Sequence, residues 1–317
     1  MISILVPIYS VEQYIERCAK SLFEQTYTDI EYIFVNDCSP DRSIDILKET
    51  ILKYPKRKNY VKIINHDVNR GLSAARNTAV ENAIGDFILH VDSDDYLEMD
   101  AIEKLVSKQK NTQADIVTGQ AILHDDDCYY VLERPQFNDK EKFIYDMIAP
   151  TLHHTIWGRL IRKSLYTEHC IYAKEGVNIG EDMQVMSQLA YYCKNFVSIS
   201  DVVYHYDTSN VSSYMNSFNN DKMILRLEQD RLSMLCVYDF FCKVNDAYLL
   251  RVKENLKYYL ILLQKLYCLN NKRMYLLRKN ELQNLNIRLS FKEKLITSNY
   301  YIAKILLLIK KKIYETL

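Results

Sequence analysis

The sequence predicts an α/β protein: a mainly parallel, Rossmann-like sheet with helices on both faces, followed by a C-terminal helical region. Three observations predict it. Over the first 120 of the 317 residues, short apolar runs alternate with longer amphipathic ones, the pattern of repeated strand–helix units. Those apolar runs carry no polar alternation, so both of their faces are expected to be covered. From residue 221 onward the chain is rich in Leu, Tyr and Lys and contains no Gly or Pro, a composition that favours helices.

Residues 2–9, ISILVPIY, read as a first strand. Val11, Tyr14, Ile15, Cys18 and Leu22 then fall on one face of a helix over 11–25. IEYIFV (30–35) reads as a strand and 41–54 as a helix with Asp41 as its expected cap. VKIIN (61–65) is a strand, and 72–84 a helix expected to close on Gly85. DFILHV (86–91) is a fourth strand, 100–110 a helix and ADIVTGQAIL (114–123) a fifth strand. Between 128 and 180 the pattern is less regular, with a strand expected near 129–133 and a helix near 139–148. Residues 182–194 read as helical and 196–206 as extended. The length exceeds what one core usually serves, and two domains are expected, 1–220 and 221–317.

Charge divides along the same line. Residues 221–317 hold 19 Lys+Arg against 9 Asp+Glu, which leaves 22 against 32 in residues 1–220 of a chain whose net charge is zero. An acidic working domain with a basic tail follows. The eight Cys are scattered without a C-x-x-C pair, a pattern of reduced thiols rather than of a disulfide frame or a zinc site. The N-terminus has no basic segment before its short apolar run, so no signal peptide is read. The apolar stretch near the C-terminus runs for about ten residues, where a bilayer needs about 20. A cytoplasmic location is expected.

In an open parallel sheet, ligands bind beyond the carboxyl ends of the strands. Here those ends read Pro7-Ile8-Tyr9-Ser10, then Asn36-Asp37-Cys38, then Asp67 with Asn69 and Gly71, then Asp92-Ser93-Asp94-Asp95. One acidic strand end is ordinarily a turn or a cap. Four together describe an acidic cleft. Carboxylate oxygens suit a hard divalent cation, Mn²⁺ or Mg²⁺, and a cation held by one or two carboxylates commonly also ligates substrate phosphates. In NRGLSAARN (69–77), a helix N-terminus and Arg76 could both face an anion. Binding to nucleic acid is disfavoured, because an acidic cleft repels a phosphate backbone.

A second acidic pair lies in NIGEDMQVMSQLAYYC (178–193). With a helix starting near Asp182, Val185, Met186 and Leu189 share its inward face, which leaves Glu181 the more exposed of the pair. A carboxyl turned toward apolar surroundings has a raised pKa, as a general base needs. His205, the pair His153-His154, and Trp157 are weaker candidates for ligand contacts. For the lone Trp, core packing is the competing reading.

The blocks ILVPIYSVEQYIERCAKSLFEQTYTDIEYIFVNDCSPDRS, NRGLSAARNTAVENAIGDFILHVDSDDYL and NIGEDM resemble the signature blocks of family 2 glycosyltransferases with the GT-A fold, those of bacterial surface-polysaccharide type included. The resemblance covers about residues 1–210. It implies transfer of a sugar from a nucleotide-diphosphate donor, a UDP-sugar first of all, with inversion at the anomeric carbon. By likeness Asp37 holds base and ribose, Pro7 to Tyr9 line the nucleotide pocket, Asp92-Ser93-Asp94 is the family's D-x-D with Asp94 as metal ligand, and Asp182 is the general base. Cys38, Ser10 and Ala79 stand where the family often has Gly, Asn and Gly. The acceptor is expected to be a glycan or a lipid-linked molecule.

The tail NYYIAKILLLIKKKIYETL is amphipathic and basic, so contact with the inner face of the plasma membrane is a further expectation, against a docking helix with a solvated Lys310–Lys312 end. Two other functions compete. A nucleotidyltransferase would need a Lys/Arg-rich first loop, which VPIYSVEQY lacks. A sugar-nucleotide-binding protein without catalysis would lack the base, and Glu181-Asp182 are present.

Overall fold

The computed structural model describes residues 1–125, 128–136, 139–149, 152–210, 220–244 and 246–307. The chain divides into two compact units, Met1–Met147 with Thr151–Asn216, and Ile148–Pro150 with Ser217–Leu317.

The first unit begins with the expected alternation: β1 (Ile2–Ile8), α1 (Ile15–Phe23), β2 (Ile30–Asn36), α2 (Ser43–Leu52), the short α3 (Pro55–Lys58), β3 (Val61–Asn65), α4 (Leu72–Asn82) and β4 (Phe87–His90). These four strands run parallel in the order β3-β2-β1-β4. Every residue of β1 is buried, as a strand covered on both faces requires. On α1 the face formed by Ile15, Cys18, Ala19, Leu22 and Phe23 is buried, and Phe23 meets Tyr32 of β2 edge-on at 5.0 Å. Full burial of an apolar side chain of that size is worth roughly 1.5–3 kcal/mol.

There follow β5 (Tyr96–Leu97), α5 (Ala101–Thr112), β6 (Ile116–Asp125), β7 (Cys128–Leu132), α6 (Lys140–Ile148), β8 (Arg159–Arg162), α7 (Lys163–His169), α8 (Glu181–Tyr192) and β9 (Phe196–Asp207). They extend the sheet as β4-β8-β6-β9-β5, with β7 beside β6. Here the pairing is mixed: β8 is antiparallel to β4 and β6, β5 to β9, and β7 to β6, while β6 and β9 are parallel. Strands of two and four residues are too short to display a period, which is why β5 and β8 escape a reading of the sequence.

Gly85 does not close α4. That helix ends at Asn82 with Ala83 extended beyond it. A Cβ on Gly85 would lie 2.6 Å from the Ser3 hydroxyl oxygen and 2.9 Å from the Met1 carbonyl oxygen, so the glycine serves a close approach to β1 instead. Asp41 does act at the start of α2, where its Oδ1 accepts from the Ser43 backbone N–H at 3.1 Å.

The second unit is helical: α9 (Asn220–Val244), α10 (Leu249–Asn270), α11 (Lys272–Asn284), α12 (Phe291–Ser298) and a helical segment over 300–307. Asn271 caps α11, and Ser290 with Glu293 forms a reciprocal capping box on α12. Among the described residues no helix is long and apolar enough to cross a membrane. Lys310–Lys312 lie outside the described residues.

Candidate active site

A cavity of about 410 Å³ opens at the carboxyl ends of β1, β2 and β4. Pro7, Ile8 and Tyr9 line it from β1 and the turn after it, Asp37 from the turn after β2, Asn69 and Gly71 from the approach to α4, and Asp92, Ser93 and Asp94 from the turn after β4. Nine residues singled out in the sequence thus meet in one space. Ser10, Val11, Leu72, Ala75 and Asn210 complete the lining.

Asp37 organises one side of the cavity. Its Oδ1 lies 2.7 Å from His66 Nδ1 and accepts from the Arg70 backbone N–H at 2.9 Å, while Oδ2 accepts from the Gly71 N–H at 2.7 Å. The carboxylate therefore draws residues 66–71 onto the end of β2. Gly71 has φ +88, and a Cβ there would run into the Asn178 side chain at 2.3 Å, so only glycine fits. Cys38 and Ser10 also adopt left-handed backbone, φ +57 and +55. The turn shape is thus kept at Cys38 without glycine, at a cost of about 1 kcal/mol. Ser10 N–H donates to Ser39 Oγ at 2.9 Å, which joins the two turns.

The acidic turn after β4 separates its carboxylates by role. Asp95 is fully buried and structural: it accepts from the Tyr204 hydroxyl at 2.7 Å and from the Asp207 backbone N–H at 2.9 Å. Burial, then the charges of Asp94 and Asp92, hold its pKa far above the usual carboxylate range. The Asp92 backbone N–H donates to the same Tyr204 hydroxyl at 3.0 Å. Arg17, on α1, donates to the Asp94 carbonyl oxygen at 2.7 Å, pairs with Asp207 at 2.6 Å and lies 4.7 Å from the centre of the Tyr96 ring. These contacts aim the Asp94 carboxylate into the cavity, where it accepts from Asn210 Nδ2 at 2.8 Å. Burial and the neighbouring Asp92 push Asp94 up to about 6.

No basic side chain pairs with Asp94 among the described residues. A desolvated carboxylate of that kind suits a divalent cation. Among the described residues, no three His, Cys, Asp or Glu side chains form a closed metal site. A cation at Asp94 would need ligands from outside these side chains to complete its shell.

Arg76 lies differently from the sequence expectation. It is buried, and its guanidinium is shared by three carboxylates: Nη2 donates to Asp92 Oδ1 at 2.7 Å, and Nη1 to Glu181 Oε1 at 2.5 Å and to Asp182 Oδ1. The N–H of Ser73, in the first turn of α4, is taken by Asn178 Oδ1 at 3.1 Å. The anions that Arg76 faces are thus carboxylates of the chain itself. Arg76 instead links the turn after β4 to the start of α8. Asp182 has a further hydrogen bond from the backbone of Ile156, and burial raises its pKa against the pull of Arg76. Burial and the charge of Asp182 likewise raise Glu181. Glu181, expected to be the more exposed of the pair, is the more buried, with its side chain 8% exposed against 14% for Asp182. It turns inward to reach the guanidinium.

The remaining candidates lie apart from the cavity lining. His205 stacks on Tyr96 at 4.3 Å and bonds His124 and Glu98, each at 2.8 Å. Trp157 is 3% exposed, stacked on Tyr204 at 4.4 Å with the Arg134 guanidinium 4.6 Å from its ring. Its core reading holds, and no face is open to a sugar. His153 and His154 belong to a short 3-10 turn before β8. Sequence reasoning missed Arg17, Tyr204 and Asn210, which act at the acidic turn from elements 77, 109 and 116 residues distant. No local signal marks such partners.

The family model described as glycosyl transferase family 2 matches residues 3–169, just over half of the chain. An uncharacterized glycosyltransferase, EpsJ, of Bacillus subtilis (strain 168) is 35% identical over 191 residues, 57% of this chain and 54% of its own length. The poly(ribitol-phosphate) beta-N-acetylglucosaminyltransferase TarS of Staphylococcus aureus is 28% identical over 68% of this chain and 37% of its own. The chain thus spans about half, or less, of the length of these relatives. Among solved structures, residues 1–349 of S. aureus TarS with UDP-GlcNAc superpose with a TM-score of 0.59 at 20% identity, over 90% of this chain and 89% of that one. A Pyrobaculum calidifontis mannosyltransferase with GDP-Man and Mn²⁺ gives 0.54 at 15% identity, over 98% and 86%. These structures share the fold with the present protein. On the match over residues 3–169, the chain belongs to glycosyl transferase family 2.

Proposed function

We propose that the protein is an inverting glycosyltransferase that moves a sugar from a nucleotide-diphosphate donor to a hydroxyl of a glycan or lipid-linked acceptor at the cytoplasmic face of the membrane. One observation carries the reading: the guanidinium of Arg76 ties Asp92, in the cavity lined by three strand ends, to the Glu181–Asp182 pair. A candidate donor site and a candidate base are thereby held in one rigid cluster.

Pro7, Ile8, Tyr9 and Asp37 hold the nucleoside, with Asn69 and Gly71 beside it, and Asp92, Ser93 and Asp94 lie toward the diphosphate. A Mn²⁺ or Mg²⁺ ion at Asp94 would offset the charge that grows on the leaving diphosphate. The acceptor oxygen attacks the anomeric carbon opposite the diphosphate, the bond from that carbon to the β-phosphate oxygen breaks, and configuration inverts. The hydroxyl proton passes to Asp182, whose pKa burial raises against the pull of Arg76. A UDP-sugar is the first donor to try, since the fold neighbour TarS is solved with UDP-GlcNAc. GDP comes second, from the mannosyltransferase solved with GDP-Man.

Calorimetric titration of UDP, GDP and CMP, with and without Mn²⁺, tests the reading. One nucleoside diphosphate should bind in a Mn²⁺-dependent manner. Failure of all three to bind under both conditions would leave the acidic turn a solvated strand end.

A further inference from the structure

The described part of the second unit ends in the helical segment 300–307. One side of it faces inward: Ala303 is fully buried with Leu263, Tyr267, Cys268 and Tyr275, and Tyr300 and Leu307 pack against them. The other side presents Tyr301, Ile302, Ile305 and Leu306, which are 60%, 47%, 58% and 38% exposed. Positions 301, 302, 305 and 306 share one helical face. They therefore form a continuous stripe, unlike the singly scattered apolar residues that any surface carries. Lys272 of α11 borders it, donating from Nζ to the Tyr301 hydroxyl at 3.0 Å and lying 4.8 Å from the ring centre. Leu276, one turn further along α11, is 41% exposed.

Charge selects what would cover this face. Between residues 272 and 307 the chain carries eight Lys and Arg and two acidic residues. Both acids are occupied within the unit, Glu281 by Arg231 and Arg278, and Glu293 by Ser290 and Lys257. The same face of a second copy, as in an isologous dimer, would bring like charge against like. An anionic lipid surface satisfies both features: apolar side chains enter the headgroup boundary while Lys and Arg meet phosphates, and tyrosine is at home at that depth.

We propose that Tyr301, Ile302, Ile305 and Leu306, with Lys272, form a peripheral docking surface for anionic phospholipid. The inference uses only the second unit and stands apart from the donor chemistry proposed for the first.

Vesicle flotation of the full chain tests it, with one set of vesicles of phosphatidylglycerol and phosphatidylethanolamine and another of phosphatidylcholine alone. The protein should float with the first set, not with the second, and less at high salt. The Ile302→Asp/Ile305→Asp variant changes only exposed positions and should melt as the parent while losing at least tenfold in binding. Lys272→Gln should lose about fivefold. Equal flotation with both vesicle types, or undiminished flotation of the double variant, overturns the proposal. So does a dimer in light scattering that the double variant dissociates, since the face would then belong to a second copy.

Discussion

At the start of α8, Glu181 and Asp182 share the buried guanidinium of Arg76, whereas after β4 the Asp94 carboxylate is raised by burial and has the amide of Asn210 as its partner. All three carboxylates are withdrawn from water, yet among the described residues only Glu181 and Asp182 have a basic side chain on them, and Asp94 has none. The difference is instructive. Where the chain supplies the cation, its charge pulls back part of the rise that burial imposes on the two carboxyls. Where it does not, the rise that burial and Asp92 impose on Asp94 is met only by hydrogen bonding.

The largest effect should follow from removing the shared counter-charge. Arg76→Met leaves three carboxylates unpaired in a buried cluster, and breaking a buried ion pair in this way costs about 3–5 kcal/mol. Thermal unfolding should show that loss at neutral pH and recover part of it in acid, where the carboxyls are protonated. In any folded fraction, the acid limb of the rate profile should move to higher pH, because Arg76 no longer holds Asp182 down. Next comes Asp182→Asn, which should lower turnover by about 10²–10⁴ and leave nucleotide binding unchanged. Wild-type turnover in that variant would assign the base elsewhere.

A third test uses the other cluster. The folded-state pKa of Asp94, about 6, lies above its unfolded value, so the folded state holds the extra proton between the two. Its contribution to stability is therefore present below about pH 4 and is lost as pH rises through about 6. Without metal, Asp94→Asn should flatten that part of the stability profile. With Mn²⁺ and nucleotide, the wild type alone should regain stability above pH 6. The smallest effect belongs to Arg17→Ala, which frees the Asp94 carbonyl and Asp207. At about 1 kcal/mol for a lost hydrogen bond, the Mn²⁺ needed for half-maximal nucleotide binding should rise about fivefold with the fold intact. An unchanged Mn²⁺ requirement would mean that Arg17 does not aim the turn.

The two halves of the first unit differ in how far the sequence discloses them. β1 to β4 are runs of apolar residues separated by helices with clear faces, and a parallel sheet puts its functional residues at strand ends, so Asp37, Asp92 and Asp94 could be placed by order alone. The mixed half offers no such rule: β5 and β8 are too short to show a period, and β8 runs against its neighbours. The burial of Glu181 follows from Arg76, whose role depends on a contact spanning 105 residues. Periodicity along α8 could not anticipate it, and neither could it anticipate that Arg76, read as facing a bound anion, would bridge carboxylates of the chain itself.

The most direct measurement is a side-by-side calorimetric titration of UDP in the presence of Mn²⁺ into the wild type, Asp94→Asn and Asp182→Asn. The contrast between the two clusters predicts Mn²⁺-dependent binding in the wild type and in Asp182→Asn, and its loss in Asp94→Asn. Equal Mn²⁺-dependent binding by Asp94→Asn and the wild type would contradict it, since the carboxylate without a counter-charge would then not be the cation's anchor.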